Sequence, residues 1–162
     1  AERLYGMVRQ WVRARGPETL YDLYGGMGCI ALACADLATR VYSVESVASA
    51  SEDGRFNAAA NEVGNVDFVT EPVEAWLKDA AHETPAPGAV VVDPPRSGLH
   101  PKALARLLAL KPPHVLYISC KPEVFARELP ALLEAYRIED LRAVDLFPHT
   151  GHVELLASLA AV

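Results

Sequence analysis

The chain has 162 residues, 51% of them hydrophobic and 22% charged, which suits one domain of the usual ~100–200 residues and excludes a disordered chain. Lys plus Arg number 15 against 21 Asp plus Glu, a net charge of −6, so the basic footprint of a nonspecific nucleic-acid binder is missing. No apolar run reaches the ~18 residues of a membrane span, the charge-threaded N-terminus is no secretory leader, and Cys29, Cys34 and Cys120 lack ligand-like clustering and read as reduced thiols of a cytoplasmic protein.

Leu4, Met7, Val8, Trp11 and Val12 recur at helical spacing and predict an amphipathic helix over residues 3–14, ended by Gly16-Pro17. A strand follows at Thr19–Tyr24, then a glycine turn through Gly25, Gly26 and Gly28, then a small-residue helix at Cys29–Leu37. Val41–Val44 reads as a strand ending at Glu45, Val47–Glu62 as a helix, Val66–Val69 as a short strand, and Val73–Ala81 as a helix with Trp76 and Leu77 inward. His82–Gly88, with its prolines, is a loop. Ala89–Val92 is an apolar strand ending at Asp93, His100–Leu110 a helix, Val115–Ser119 a buried strand, and Pro122–Ala135 a helix that Pro130 can kink. Two longer strands are expected at about 137–146 and 152–160, joined by FPHTG.

Alternating strands and helices predict an α/β fold, a Rossmann-like doubly wound parallel sheet, here with a C-terminal antiparallel hairpin. Such sheets bind ligands beyond the carboxyl ends of their strands, which directs attention to Asp22–Gly28, Glu45, Glu71, Asp93–Arg96 and Cys120.

DLYGGMG (Asp22–Gly28) lets a ligand approach the backbone and the start of a helix. Glu45, 23 residues after Asp22, can accept hydrogen bonds from both hydroxyls of a ribose. The pair suits a dinucleotide or an adenosyl cofactor, and the departure from GxGxxG favours the adenosyl one; a ligand-free turn and a solvated strand-end acid are the plain alternatives. In DPPRSG (Asp93–Gly98) two prolines stiffen the strand exit and hold Asp93 where it can receive N–H donors from a flat base. Arg96 suits a phosphate or a surface acid equally. In SCKP (Ser119–Pro122) the helix start and Lys121 favour the thiolate of Cys120, the form that acts as a nucleophile, although cysteine is also a common core residue. PHTGHVE (Pro148–Glu154) gathers His149, His152 and Glu154; with no further ligand cluster, no metal is expected, and a carboxylate base at the sheet end fits better than a metal site.

In this order DLYGGMG, Glu45, DPPRSGL, YISCKP and FPHTGHVE resemble the catalytic domain of the uracil-5 RNA methyltransferases over essentially the whole chain. HTGHVE is closer to the 23S ribosomal-RNA branch than to the transfer-RNA branch. The resemblance implies transfer of a methyl group from S-adenosylmethionine to C5 of an RNA uridine, with Cys120 as the nucleophile that adds to C6 and Glu154 as the base. It implies cofactor contacts from Tyr24, Gly26, Cys29 and Glu45, and an Asp93 carboxylate near both cofactor and base, which must be exposed or flipped to reach the pocket. A monomeric cytoplasmic enzyme is expected, and residues 1–162 are expected to be its single catalytic domain.

Several positions depart from the family. Lys121 stands where SCNP has Asn. Pro72 replaces an adenine-contacting acid or amide, leaving Glu71 as the substitute cofactor contact. Gly25 replaces a cysteine, a change expected to cost little. The family's upstream Phe-x-Gln-x-Asn segment, its RNA-binding parts and, in some members, an iron–sulfur cluster are not in the chain, so the isolated domain is expected to turn over RNA poorly. A methyltransferase acting on another RNA base position, and a non-catalytic cofactor-fold module, are the competing readings.

Overall fold

The fold is described from a computed structural model covering residues 2–145 and 153–162. Helix α1 (Glu2–Arg15) buries Leu4, Val8, Trp11 and Val12, the predicted apolar stripe. Strand β1 (Thr19–Leu23) is buried throughout. Helix α2 (Cys29–Cys34) is one residue run shorter than its sequence pattern suggests, because Ala35–Leu37 tightens into a 3-10 turn before β2 (Arg40–Glu45). There follow α3 (Ala48–Ala60), β3 (Val66–Thr70), α4 (Val73–Glu83), β4 (Ala89–Val92), α5 (Pro101–Leu110) and β5 (His114–Ser119). Helix α6 (Pro122–Leu132) contains Pro130 and ends before the expected Ala135. Strands β6 (Tyr136–Val144) and β7 (Glu154–Ala161) come last; residues 146 and 152, expected at the strand ends, and the FPHTG connection lie outside the described residues.

The seven strands form one sheet in the order β3-β2-β1-β4-β5-β7-β6. The first five in that order run parallel, and β7 pairs antiparallel with both β5 and β6. The chain therefore winds outward from β1 to β3 and then restarts at β4 on the other side of β1. Loops leaving β1 and β4 diverge at this switch point, opening a crevice at the carboxyl edge.

Each face of the sheet has its own core. Tyr21, Leu23, Val90, Val92, Tyr117 and Leu159 face Trp76, Leu77, Ala103, Leu107, Phe125 and Leu132 of α4, α5 and α6. Leu20, Val41, Val91, Leu116, Ile118 and Leu156 face α1 and α2. The four residues of β4 are wholly buried, as a central parallel strand covered on both sides must be. The first and last elements are tied together: Trp11 Nε1 donates to Ser158 Oγ at 2.7 Å, and Arg15 pairs with Glu139 at 2.9 Å while stacking on the Trp11 ring.

Beside β3, the Phe68 ring occupies the space where a side chain at Gly54 of α3 would sit: an added Cβ would lie 2.4 Å from Phe68 Cε1 and 3.1 Å from the Met27 carbonyl. An exposed glycine in a helix interior normally gains roughly 0.5–1 kcal/mol on becoming alanine. Gly6 of α1, with nothing within 4 Å of its would-be Cβ, should show that gain on Gly6→Ala. Gly54→Ala should instead lose about 1–3 kcal/mol through overpacking. Urea unfolding of the two variants checks the opposite signs.

Candidate active site

Strand β1 delivers Asp22 with no solvent exposure. Its Oδ2 accepts the Ala31 N–H at 3.1 Å and the Ser43 hydroxyl at 3.4 Å, while Oδ1 is buried without a partner among the described residues. Burial, then the nearby Asp93 charge, pushes this carboxyl up to about 7. The turn that follows puts Tyr24 in the left-handed region at φ 64°, a strained conformation for an aromatic residue that persists only where its surroundings fix it. Those surroundings are visible. Gly25 N–H bonds to the Val44 carbonyl at 3.0 Å, and Gly26 N–H bonds to Glu45 Oε2 at 3.1 Å. The other Glu45 oxygen accepts the Val47 N–H at 2.8 Å and the Ser46 hydroxyl at 3.2 Å. Glu45 thus locks the glycine turn to the end of β2, and its carboxylate retains lone pairs for a ligand.

A Cβ at Gly25 would come 2.2 Å from Ser43 Oγ and 2.9 Å from Asp22 Oδ2. The cysteine usual in the family would therefore have to displace Ser43, and Gly25 and Ser43 are matched as a pair. At Gly26 the corresponding space is open.

Asp93 follows the last buried residue of β4 and is partly exposed, its N–H bonded to the Leu23 carbonyl at 3.2 Å. Burial, then the charge of Glu154, raises its carboxyl to about 6. Arg96 lies on the exposed stretch that follows and makes no ion pair among the described residues. Strand β5 pairs Ser119 with Leu155 of β7 in antiparallel register, so the next step brings Cys120 level with Glu154. Ser119 Oγ donates to the Lys121 carbonyl at 3.0 Å and accepts the Lys121 N–H at 3.2 Å, bracing the half-exposed Cys120 from both sides.

Strand alternation assigns faces to these groups. Asp22, Asp93 and Cys120 share the parity of Leu20, Val91 and Ile118, and Glu154 that of Leu156, so all four belong to the α1–α2 side of the sheet. From α1 the Tyr5 phenol lies within electrostatic range of Cys29 and Asp93; burial first and these groups second make it harder to ionise.

The sheet therefore gathers Asp93, Cys120 and Glu154 on one side of the switch point and Gly26, Cys29 and Glu45 on the other. Glu71 is exposed, just past β3 at the far edge of the sheet, and no contact joins it to the others. His149 and His152 lie outside the described residues. Sequence reasoning missed Tyr5 because only its neighbours carry the helical apolar stripe. It also missed Glu128 of α6, buried to 9% exposure, whose only sequence signal is an acid on the apolar face of an amphipathic helix.

The raised carboxyls have a consequence for stability. Asp22 and Asp93 hold protons more tightly folded than unfolded, where an aspartic acid titrates near 3.8. Their contribution is full below that value and is lost as pH rises through about 6 for Asp93 and about 7 for Asp22. Asp36 acts oppositely: its hydrogen bond from Arg9 lowers its pKa, so that contribution is lost in acid. Stability should therefore fall between about pH 4 and pH 7, and Asp22→Asn should flatten that fall. Thermal midpoints across the range check it.

This geometry can be set beside known proteins. Residues 7–161 match the family model described as tRNA (uracil-5-)-methyltransferase. An uncharacterized RNA methyltransferase of Caldanaerobacter subterraneus subsp. tengcongensis is 40% identical over 160 residues, 98% of this chain and 35% of that protein. One from Staphylococcus aureus is 39% identical over 156 residues, 96% of this chain and 34% of that protein. The crystal structure of Pyrococcus abyssi tRNA (uracil-54, C5)-methyltransferase in complex with S-adenosyl-L-homocysteine superposes with a TM-score of 0.82 at 35% identity, over 96% of this chain and 37% of that one. The chain spans about one-third of the length of these relatives. With nearly every residue matched, it belongs to the tRNA (uracil-5-)-methyltransferase family.

Proposed function

We propose that residues 1–162 are the catalytic domain of an S-adenosylmethionine-dependent enzyme that methylates C5 of a uridine in RNA through a covalent adduct on Cys120. The observation that carries this reading is the β5–β7 register, which sets a half-exposed thiol level with a carboxylate, beside Asp93 and on one face of the sheet. The family match and the resemblance to the Pyrococcus abyssi enzyme support the uridine assignment. No helix among the described residues is long and apolar enough to cross a membrane; the proposed setting is the cytoplasm, acting as a monomer.

The residues present fit the cofactor. Glu45 is anchored by Gly26 and Val47 yet keeps acceptor capacity, the space over Gly26 is open, and Asp22 Oδ1 is a buried polar atom without a partner among the described residues. Glu45 would hold the ribose, the Tyr24–Cys29 turn would hold the amino-acid portion, and Glu71 would lie toward the adenine. When bound, S-adenosylmethionine supplies an electrophilic methyl group. The Cys120 thiolate forms a bond to C6 of the uracil, and the electron pair of the C5–C6 double bond moves toward the O4 carbonyl, making C5 nucleophilic. Asp93 accepts an N–H of the base and orients the ring. Once C5 carries the methyl group, Glu154 takes the C5 proton; the released pair restores the double bond and expels the Cys120 thiolate. A ribosomal RNA hairpin of the 23S type is the proposed substrate in preference to a transfer RNA.

Calorimetric titration with S-adenosylhomocysteine tests the first half. Binding is expected, and Glu45→Ala should weaken it by roughly 10–100-fold, the loss of charge-assisted hydrogen bonds. Absence of binding would favour a non-catalytic module.

RNA containing 5-fluorouridine tests the second half. With S-adenosylmethionine present it should be trapped on Cys120, because no base can remove fluorine as a cation. Cys120→Ala should abolish the adduct. Glu154→Gln should accumulate a methylated adduct with ordinary uridine RNA, read by denaturing electrophoresis and mass spectrometry. Trapping of a tRNA stem-loop in preference to a 23S hairpin would overturn the ribosomal assignment.

A further inference from the structure

On the sheet face opposite Cys120, α6 carries a buried carboxylate with no part in the proposed bond-making. Glu128 Oε1 accepts the Leu99 N–H at 2.9 Å, and Oε2 accepts the Tyr117 hydroxyl at 2.7 Å. Both oxygens therefore have a donor, as a buried carboxylate requires. Leu99 directly follows the Asp93–Gly98 segment, whereas Tyr117 lies on β5 three residues before Cys120, and Glu128 itself belongs to the helix that starts just after Cys120. The buried Tyr24 phenol lies within electrostatic range of the same carboxylate.

Gly98 completes the fit. Its φ is +88°, and an added Cβ would lie 2.1 Å from Glu128 Oε1 and 2.5 Å from Val124 Cγ1. The loop backbone is pressed against α6 as closely as it can go. Gly98 N–H closes a turn on the Pro95 carbonyl at 2.8 Å, and Arg127 reaches the Ser97 carbonyl at 3.4 Å. Pro94 is buried and Pro95 is not, so the segment is stiff between Asp93 and its anchor at Leu99.

We infer that Glu128 is a positioning residue that fixes the loop carrying Asp93 relative to Cys120, by joining the exit of β4 to β5 and α6. This rests on the uridine reading for its chemistry, but the clamp can be observed separately. Among the described residues no hydrogen bond joins Glu128 to Glu45 or to the glycine turn, where its one electrostatic neighbour is the Tyr24 phenol, so its loss should fall mainly on the Asp93–Cys120 half of the site.

Three readouts on the full chain test this: S-adenosylhomocysteine affinity, the rate of adduct formation with 5-fluorouridine RNA, and exchange of the Leu99 amide. Glu128→Ala should slow the adduct by about 30–100-fold, the usual cost of ~1 Å misplacement, while affinity changes by less than about threefold. Glu128→Gln should recover to within about fivefold of wild type, because its amide oxygen still takes the Leu99 N–H and its NH2 can donate to the Tyr117 oxygen. Should Glu128→Ala not fold, Gly98→Ala, which drives the carboxylate off Leu99, should give the same split. Parallel losses of affinity and adduct rate, or no loss, would overturn the inference. A wild-type chain that forms no adduct would sink the uridine reading alone. The clamp is then judged by the Leu99 amide: at least about tenfold faster exchange in Glu128→Ala supports it, and unchanged exchange overturns it.

Discussion

Asp22, one residue before the end of β1, has its carboxylate out of water, one oxygen shared between the Ala31 N–H and the Ser43 hydroxyl and the other unpaired among the described residues. Burying such a group costs several kcal/mol unless it is neutralised or bonded, and the surrounding chain is arranged around it. The hydrogen bond to Ala31 draws the first turn of α2 back over β1. The bond to Ser43 fixes the neighbouring strand, and Gly25 has no side chain because Ser43 and Asp22 fill that space. The strained backbone of Tyr24 follows from the same geometry, and Glu45 secures the far side of the turn. The proposed cofactor cradle, made largely of backbone, thus depends on this buried carboxyl.

The second half of the site is held by another principle. Cys120, Asp93 and Glu154 come from three strands that meet only through the sheet, so their separations are set by ladder register. Between β5 and β7 that register is antiparallel and close, as the proposed pairing of the Cys120 thiol with the Glu154 carboxylate on adjacent ring carbons would require. Between β4 and β5 the strands run parallel and the loops leave in the same direction, where register alone does not fix a side chain beyond the last ladder bond. The Glu128 contacts supply a fixed point there, on the side of the sheet turned away from the chemistry.

Much of this was legible in the sequence because it is local. Strand–helix alternation gave the doubly wound sheet, and the strand ends pointed to Asp22–Gly28, Glu45, Asp93 and Cys120. Helix ends were less legible: α2 gives way to a 3-10 turn and α6 stops at Leu132, since small and apolar residues continue past both points without a breaker. The non-local matches left no trace in periodicity. Gly54 is an unremarkable helix glycine until Phe68 is seen across from it. Glu128 is one of two acids on α6, beside Glu123, and Tyr5 is one aromatic on an amphipathic helix. Glu71 also lies at a strand end, that of the outermost strand β3, so its part in the proposed site rests on the family resemblance and not on the switch-point geometry.

The other margin of the sheet is closed by β6, where seven consecutive residues are exposed and the register slips between Ile138 and Asp140. Arg137 pairs with Glu139, and Arg142 with Asp140. An incoming strand would have to desolvate these charges and match an irregular backbone, and both requirements work against edge-to-edge pairing. Leu141 and Ile138 are displayed on this strand at 53% and 38% exposure, among these charges. Charge and an irregular register at this margin thus both oppose the addition of a further strand.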